Sequence, residues 1–126
     1  DLELLEWLNQ VTFPEEARYA DLSYAEKASS IFAEDLCQSA TTRASIFATL
    51  HVEATELLMD LMEKTGLKTY IGKVNMDRNG TADLQEKSAV VSAGDTVRWL
   101  TDTAGKYENV KPILTPRFTP SCTDEL

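Results

Sequence analysis

Val110-Lys111-Pro112-Ile113-Leu114-Thr115-Pro116-Arg117-Phe118 begins as an apolar run and ends with a cation beside an aromatic ring. The apolar start reads as a buried strand. The Pro-Arg-Phe ending suits a flat, polar, oxygen-bearing ligand at the strand's C-terminal end. A planar guanidinium matches a carbonyl or carboxylate, and a ring can stack on a ring. Behind it, Ser121-Cys122-Thr123-Asp124 has capping-box spacing, with Asp124 where Glu or Gln is preferred, and predicts a helix start. That helix would be cut within its first turn at Leu126, so the expectation is a piece of something larger.

Upstream, Leu2, Leu4, Leu5, Trp7 and Leu8 predict a short apolar helix, ended by Thr12-Phe13-Pro14-Glu15-Glu16 because Pro disrupts a helix interior. Ser23, with Glu26 three residues on, predicts the N-cap of a helix carrying Tyr24, Ala28, Ile31, Phe32, Leu36 and Cys37 to about Ala40. Thr41 to Thr49 reads as a strand. A helix from about Val52 to Lys64 follows, apolar at Leu57, Leu58, Leu61 and Met62 and stopped by Gly66. Lys68 to Asn75 is the next strand, Met76 to Val90 a long loop, and Val91 to Thr103 a helix around Val97, Trp99 and Leu100.

Strands separated by helices of this length imply right-handed crossovers and a parallel sheet. The fold class expected is α/β: a partial (β/α)8 TIM-barrel arc with about three parallel strands and three to four helices. An open flavodoxin-like sheet is the alternative, but no Gly-rich phosphate loop follows the first strand.

The 126 residues amount to one domain at most, and a net charge of −9 leaves no basic face to neutralise phosphates. The twelve Lys and Arg are scattered with no two adjacent, which argues against nucleic acid and anionic membranes as partners. Cys37 falls in a helical pattern and reads as a small buried hydrophobe; Cys122 reads as a bystander in a turn. Two cysteines so placed make no disulfide framework and favour a reducing compartment. No signal-peptide pattern opens the sequence and no apolar run reaches transmembrane length, so the expected location is cytoplasmic.

In a barrel the chemistry lies at the C-terminal strand ends. These offer Thr49-Leu50-His51, then Asn75-Met76-Asp77-Arg78-Asn79, then Pro116-Arg117-Phe118. His51 is the single histidine, and a catalytic zinc site is often His-rich with three protein ligands, so His51 reads as a loop or supporting residue. Asp77, followed by Arg-Asn-Gly, has the look of turn chemistry. Arg117 is open between ligand contact and a structural ion pair. Asp1, Glu3, Glu15 and Glu16 are most simply solvated carboxylates. Ser-His-Asp order, P-loop and Cys-x-x-Cys are all absent from the sequence.

Together the segments resemble guanine deaminases, zinc hydrolases of the amidohydrolase superfamily. The resemblance rests on Leu5-Glu6-Trp7-Leu8-Asn9, Thr12-Phe13-Pro14, Phe47-Ala48-Thr49-Leu50-His51, Tyr70 to Asp77, Val110 to Phe118 and Ser121-Cys122, in order across nearly the whole chain. Ala40 stands where the family has the Gly of a Gly-Thr-Thr-Thr run, and Arg43 replaces its last Thr.

The resemblance implies that residues 1–126 are a fragment of a metal-dependent (β/α) barrel domain. It implies hydrolysis of guanine to xanthine and ammonia by a zinc-bound water, with the Arg-Phe pair, here Arg117 and Phe118, holding the ring. It also implies a homodimeric parent. The family's His-x-His pair would lie before Asp1, and its other His, Glu and Asp beyond Leu126, so catalytic and metal residues within the segment are none. The segment alone is expected to be inactive. Two other expectations stay open: an aminohydrolase acting on another heterocycle, and a non-catalytic binding or assembly module.

Overall fold

The computed structural model describes residues 2–126, so Asp1, read above as part of a solvated face, lies outside the described residues. The N-terminal segment is one continuous helical stretch. It runs through α1 (Leu4–Trp7), a π-helical turn (Leu8–Thr12), α2 (Phe13–Ala17) and a 3-10 turn (Arg18–Ala20). Pro14 does not end it, contrary to the sequence expectation. Pro14 falls in the first turn of α2, and the wider turn before it closes with the Phe13 N–H donating to the Leu8 carbonyl five residues back.

The cap of α3 (Leu22–Gln38) is Asp21 rather than Ser23. The Asp21 carboxylate accepts from the Ser23 N–H at 2.8 Å and the Tyr24 N–H at 3.4 Å, and Ser23 Oγ also donates to it. The buried stripe of α3 is Ala25, Ser29 and Ala33. Ile31 and Phe32, expected inside, are exposed, because small side chains are what let α3 lie close against α4 (Val52–Thr65). Cys37 is likewise exposed, not buried, and both cysteines are free thiols. Helix α4 buries Leu58, Met59 and Met62 and stops at Gly66, which takes φ +74°. Helix α5 (Ala89–Thr103) starts two residues before the sequence expectation, capped by Ser88 Oγ, and buries Trp99 while leaving Val97 exposed.

Strands β1 (Arg43–Phe47), β2 (Lys68–Gly72) and β4 (Val110–Pro112) form a parallel sheet in the order β1-β2-β4. Beyond a break in each chain, β3 (Val74–Asn75) pairs in parallel with β5 (Thr115–Pro116). The second and third strands of the sequence reading are thus each interrupted. At the break, Gly72 lets the neighbouring chain come close: a Cβ there would sit 2.4 Å from Thr115 Oγ1. Thr115 Oγ1 donates instead to the Lys73 carbonyl at 2.8 Å.

Burial alternates along the strands. Ile46, Ile71 and Val110 face α4 and α5 in a core with Met59, Met62 and Trp99. Phe47 and Tyr70 stand exposed on the opposite face. A doubly wound sheet would cover both faces with helices. Helices on one face of parallel strands make this an arc of a (β/α) barrel, with the exposed face as its inner wall. Ser121 caps no helix: it closes a 3-10 turn (Thr119–Ser121), and residues 122–126 form none.

Candidate functional site

The C-terminal strand ends are tied together by backbone bonds. The Ala48 N–H donates to the Gly72 carbonyl and Val74 N–H to the Thr49 carbonyl, each at 3.0 Å. The Arg117 N–H donates to the Asn75 carbonyl, also at 3.0 Å. Over this end lies a second apolar cluster: Leu8, Phe13, Val74, Met76 and Leu84, with Leu50 and Phe118 packed against it. The N-terminal helical segment therefore roofs the strand ends, and Phe118 is a half-buried part of that contact.

Arg117 is held by that roof. Its two terminal nitrogens grip both carboxylate oxygens of Glu16, Nη2 to Oε1 at 2.8 Å. The guanidinium carbon lies 5.0 Å from the centre of the Phe13 ring, within cation–π range. The Arg117 side chain is 12% exposed and that of Glu16 26%, so the pair is partly shielded from water. Glu16 is therefore not the solvated carboxylate the sequence suggested. Reading Pro14 as a helix end hid the fact that Phe13 and Glu16 share one turn.

Asp77 fastens the chain's last described turn. Its carboxylate accepts from the Thr123 N–H at 2.7 Å and Thr123 Oγ1 at 2.6 Å. Burial alone would raise its pKa, but these hydrogen bonds outweigh it and hold the carboxyl below its ordinary value. His51 precedes α4, and its Nε2 is buried with no hydrogen-bond partner among the described residues. Burial pushes its pKa down, Glu53 opposes the fall and Lys73 adds to it, so the neutral form of the imidazole is favoured.

Three polar groups at this end were given no role by the sequence reading. Lys73, wholly buried, forms an ion pair with Glu86, whose second oxygen accepts the Met76 N–H at 3.0 Å. Asn75 Nδ2 donates to Ser92 Oγ and Thr96 Oγ1, both at 2.7 Å, linking β3 to α5. A lysine and an asparagine inside an apolar strand pattern are the signals that could have revealed them, since buried polar groups need partners.

Among the described residues no group of three or more His, Cys, Asp or Glu is placed to hold a metal. His51 stands apart from any such set, so the residues present do not fit a zinc centre.

No family model matches the chain. Guanine deaminase of Homo sapiens is 39% identical over 127 aligned residues, covering all of this chain and 28% of that protein. That of Dictyostelium discoideum is 40% identical, again over all of this chain and 28% of the relative. The solved guanine deaminase from C. acetobutylicum, with guanine bound in its active site, superposes with a TM-score of 0.95 at 45% identity. That superposition covers 99% of this chain and 30% of the other. The chain thus resembles guanine deaminases from end to end, in sequence and in fold alike, while spanning little more than a quarter of their length.

Proposed function

We propose that residues 1–126 are a segment of a guanine deaminase barrel, and that the whole protein hydrolyses guanine to xanthine and ammonia. The whole-length match to guanine deaminases carries this reading, together with the superposition on a guanine-bound relative. The activity belongs to the complete barrel. A zinc ion, when bound, would supply a hydroxide near neutral pH; its ligands would come from parts of the protein outside this chain, which alone is expected to be inactive. The resemblance further supports a cytoplasmic homodimer. Among the described residues no helix is long and apolar enough to cross a membrane.

Within that protein the contribution of this chain is to bind and orient the ring. Guanine presents N7 and O6 as adjacent acceptors, the pattern an arginine reads with paired N–H groups. Arg117 has five donors and gives two to Glu16, leaving three for a ligand. Phe118 offers an apolar face beside it.

The test is Arg117→Ala and Arg117→Lys in the full-length enzyme, assayed on guanine and on other aminated heterocycles. Losing a charged hydrogen bond to the substrate should raise KM for guanine by about tenfold or more. Lys should rescue little, since a point charge cannot donate as a planar pair. An unchanged KM would remove Arg117 from the binding site, and an enzyme inert toward guanine would favour a different heterocycle.

A further inference from the structure

We propose that Glu16 is a positioning and charge-balancing residue, which makes Arg117 a reader of a neutral base and eases release of the more acidic product. The inference rests on the reading of Arg117 given above.

Glu16 and Arg117 lie 101 residues apart in sequence, yet the carboxylate meets the guanidinium through both oxygens and both terminal nitrogens. Phe13, one turn earlier on the same helical stretch, packs its ring against the same cation. Two contacts from one rigid element fix both the plane and the rotation of the guanidinium. Free arginine side chains spread over many rotamers, and this one is delivered in a single orientation. What remains unengaged is the Nε–H and one N–H on each terminal nitrogen.

The second consequence is electrostatic. An arginine that is 12% exposed and lacks a counter-ion would favour anions strongly. Guanine is neutral at physiological pH. Xanthine, with a second carbonyl in place of the amino group, is the stronger acid and partly anionic there. An unbalanced Arg117 would therefore hold product at the expense of substrate. With Glu16 in its fork, the pair has no net charge, and recognition falls to hydrogen-bond geometry.

The experiment is Glu16→Gln in the full-length, metal-loaded enzyme, with KM for guanine and Ki for xanthine measured from pH 6.5 to 8.5. The ratio of xanthine Ki to guanine KM should fall by about tenfold, the worth of roughly one charged hydrogen bond. That fall should grow with pH as xanthine ionises. Glu16→Asp retains the charge but loses reach. It should raise KM without tightening xanthine binding, and it stands in if the Gln variant fails to fold. A Glu16 that merely held the helix in place would move KM and Ki together, or neither, and either result overturns the proposal. Arg117→Ala, run alongside, separates the two failures. If it leaves KM unchanged, the reading of Arg117 is wrong. If it raises KM while Glu16→Gln alters neither constant, only the role of Glu16 is wrong.

Discussion

Lys73 is the residue whose environment departs furthest from its chemistry. Its ammonium is buried completely beside the Glu86 carboxylate, at the point where β2 gives way to β3. Such a pair adds little over well-packed apolar groups, but removing one partner strands the other's charge. Lys73→Met alone should therefore cost about 3–5 kcal/mol, while Lys73→Met with Glu86→Leu should recover much of that loss. Urea unfolding of the four-member cycle reads the coupling directly. Glu86 also accepts the Met76 N–H, so it is Glu86→Leu that should loosen the chain just before Asp77 and limit the recovery in the double variant. Arg117 and Phe118 were legible as candidates for ligand contact because a cation and a ring at a strand end are unusual chemistry. Lys73, Asn75 and Glu16 were not, because a pairing across 13, 17, 21 or 101 residues leaves no mark in local spacing.

The helices and strands were readable in order and nearly in extent, since hydrophobic period and turn residues act locally. What the sequence hid was phase and interruption. The apolar positions of α3 suggested a face of Ile31 and Phe32, whereas close packing on α4 selected Ala25, Ser29 and Ala33. The break in β2 turns on Gly72, where approach of Thr115 leaves no room for a methyl group: a Cβ would fall 2.2 Å from Thr115 Cγ2. Gly72→Ala should cost about 1–3 kcal/mol through displacement of β5. On the function proposed above, it should also weaken guanine binding in the full-length enzyme, because β5 leads directly into Arg117. Gly72→Ala with Thr115→Ser removes the closest methyl and should restore part of both, as thermal melting and KM would show.

The molecule as a whole should be acid-sensitive. Burial lowers the His51 pKa from its ordinary 6.5. For Asp77, burial acts upward, but the Thr123 bonds bring the carboxyl below 3.8. For Glu63, burial again acts upward, yet the N–H groups of Asn109, Glu108 and Val110 hold it below 4.5. Each group binds its proton more readily when unfolded, so the stability it contributes is present at neutral pH and lost on acidification. The loss should begin as pH falls below 6.5, with His51, and steepen through and below the carboxylate range. Glu56, raised by burial, works in the opposite direction over part of that range. Melting temperature against pH checks the profile, and Asp77→Asn should flatten its steepest part.

The one-sided sheet explains why fold class was legible while its context was not. Alternation along β1 and β2 belongs to a wall with helices outside, and the exposed Phe47 and Tyr70 look into a space this chain does not itself enclose. That leaves the order of events during synthesis. The roof, with Glu16, leaves the ribosome 101 residues ahead of the arginine it grips. Until β5 emerges, the anion has no cation to meet and the Phe13 ring no guanidinium beneath it. The grip of Glu16 on Arg117 is thus a late act of assembly: the nascent chain builds its helices and first strands before that pair can exist.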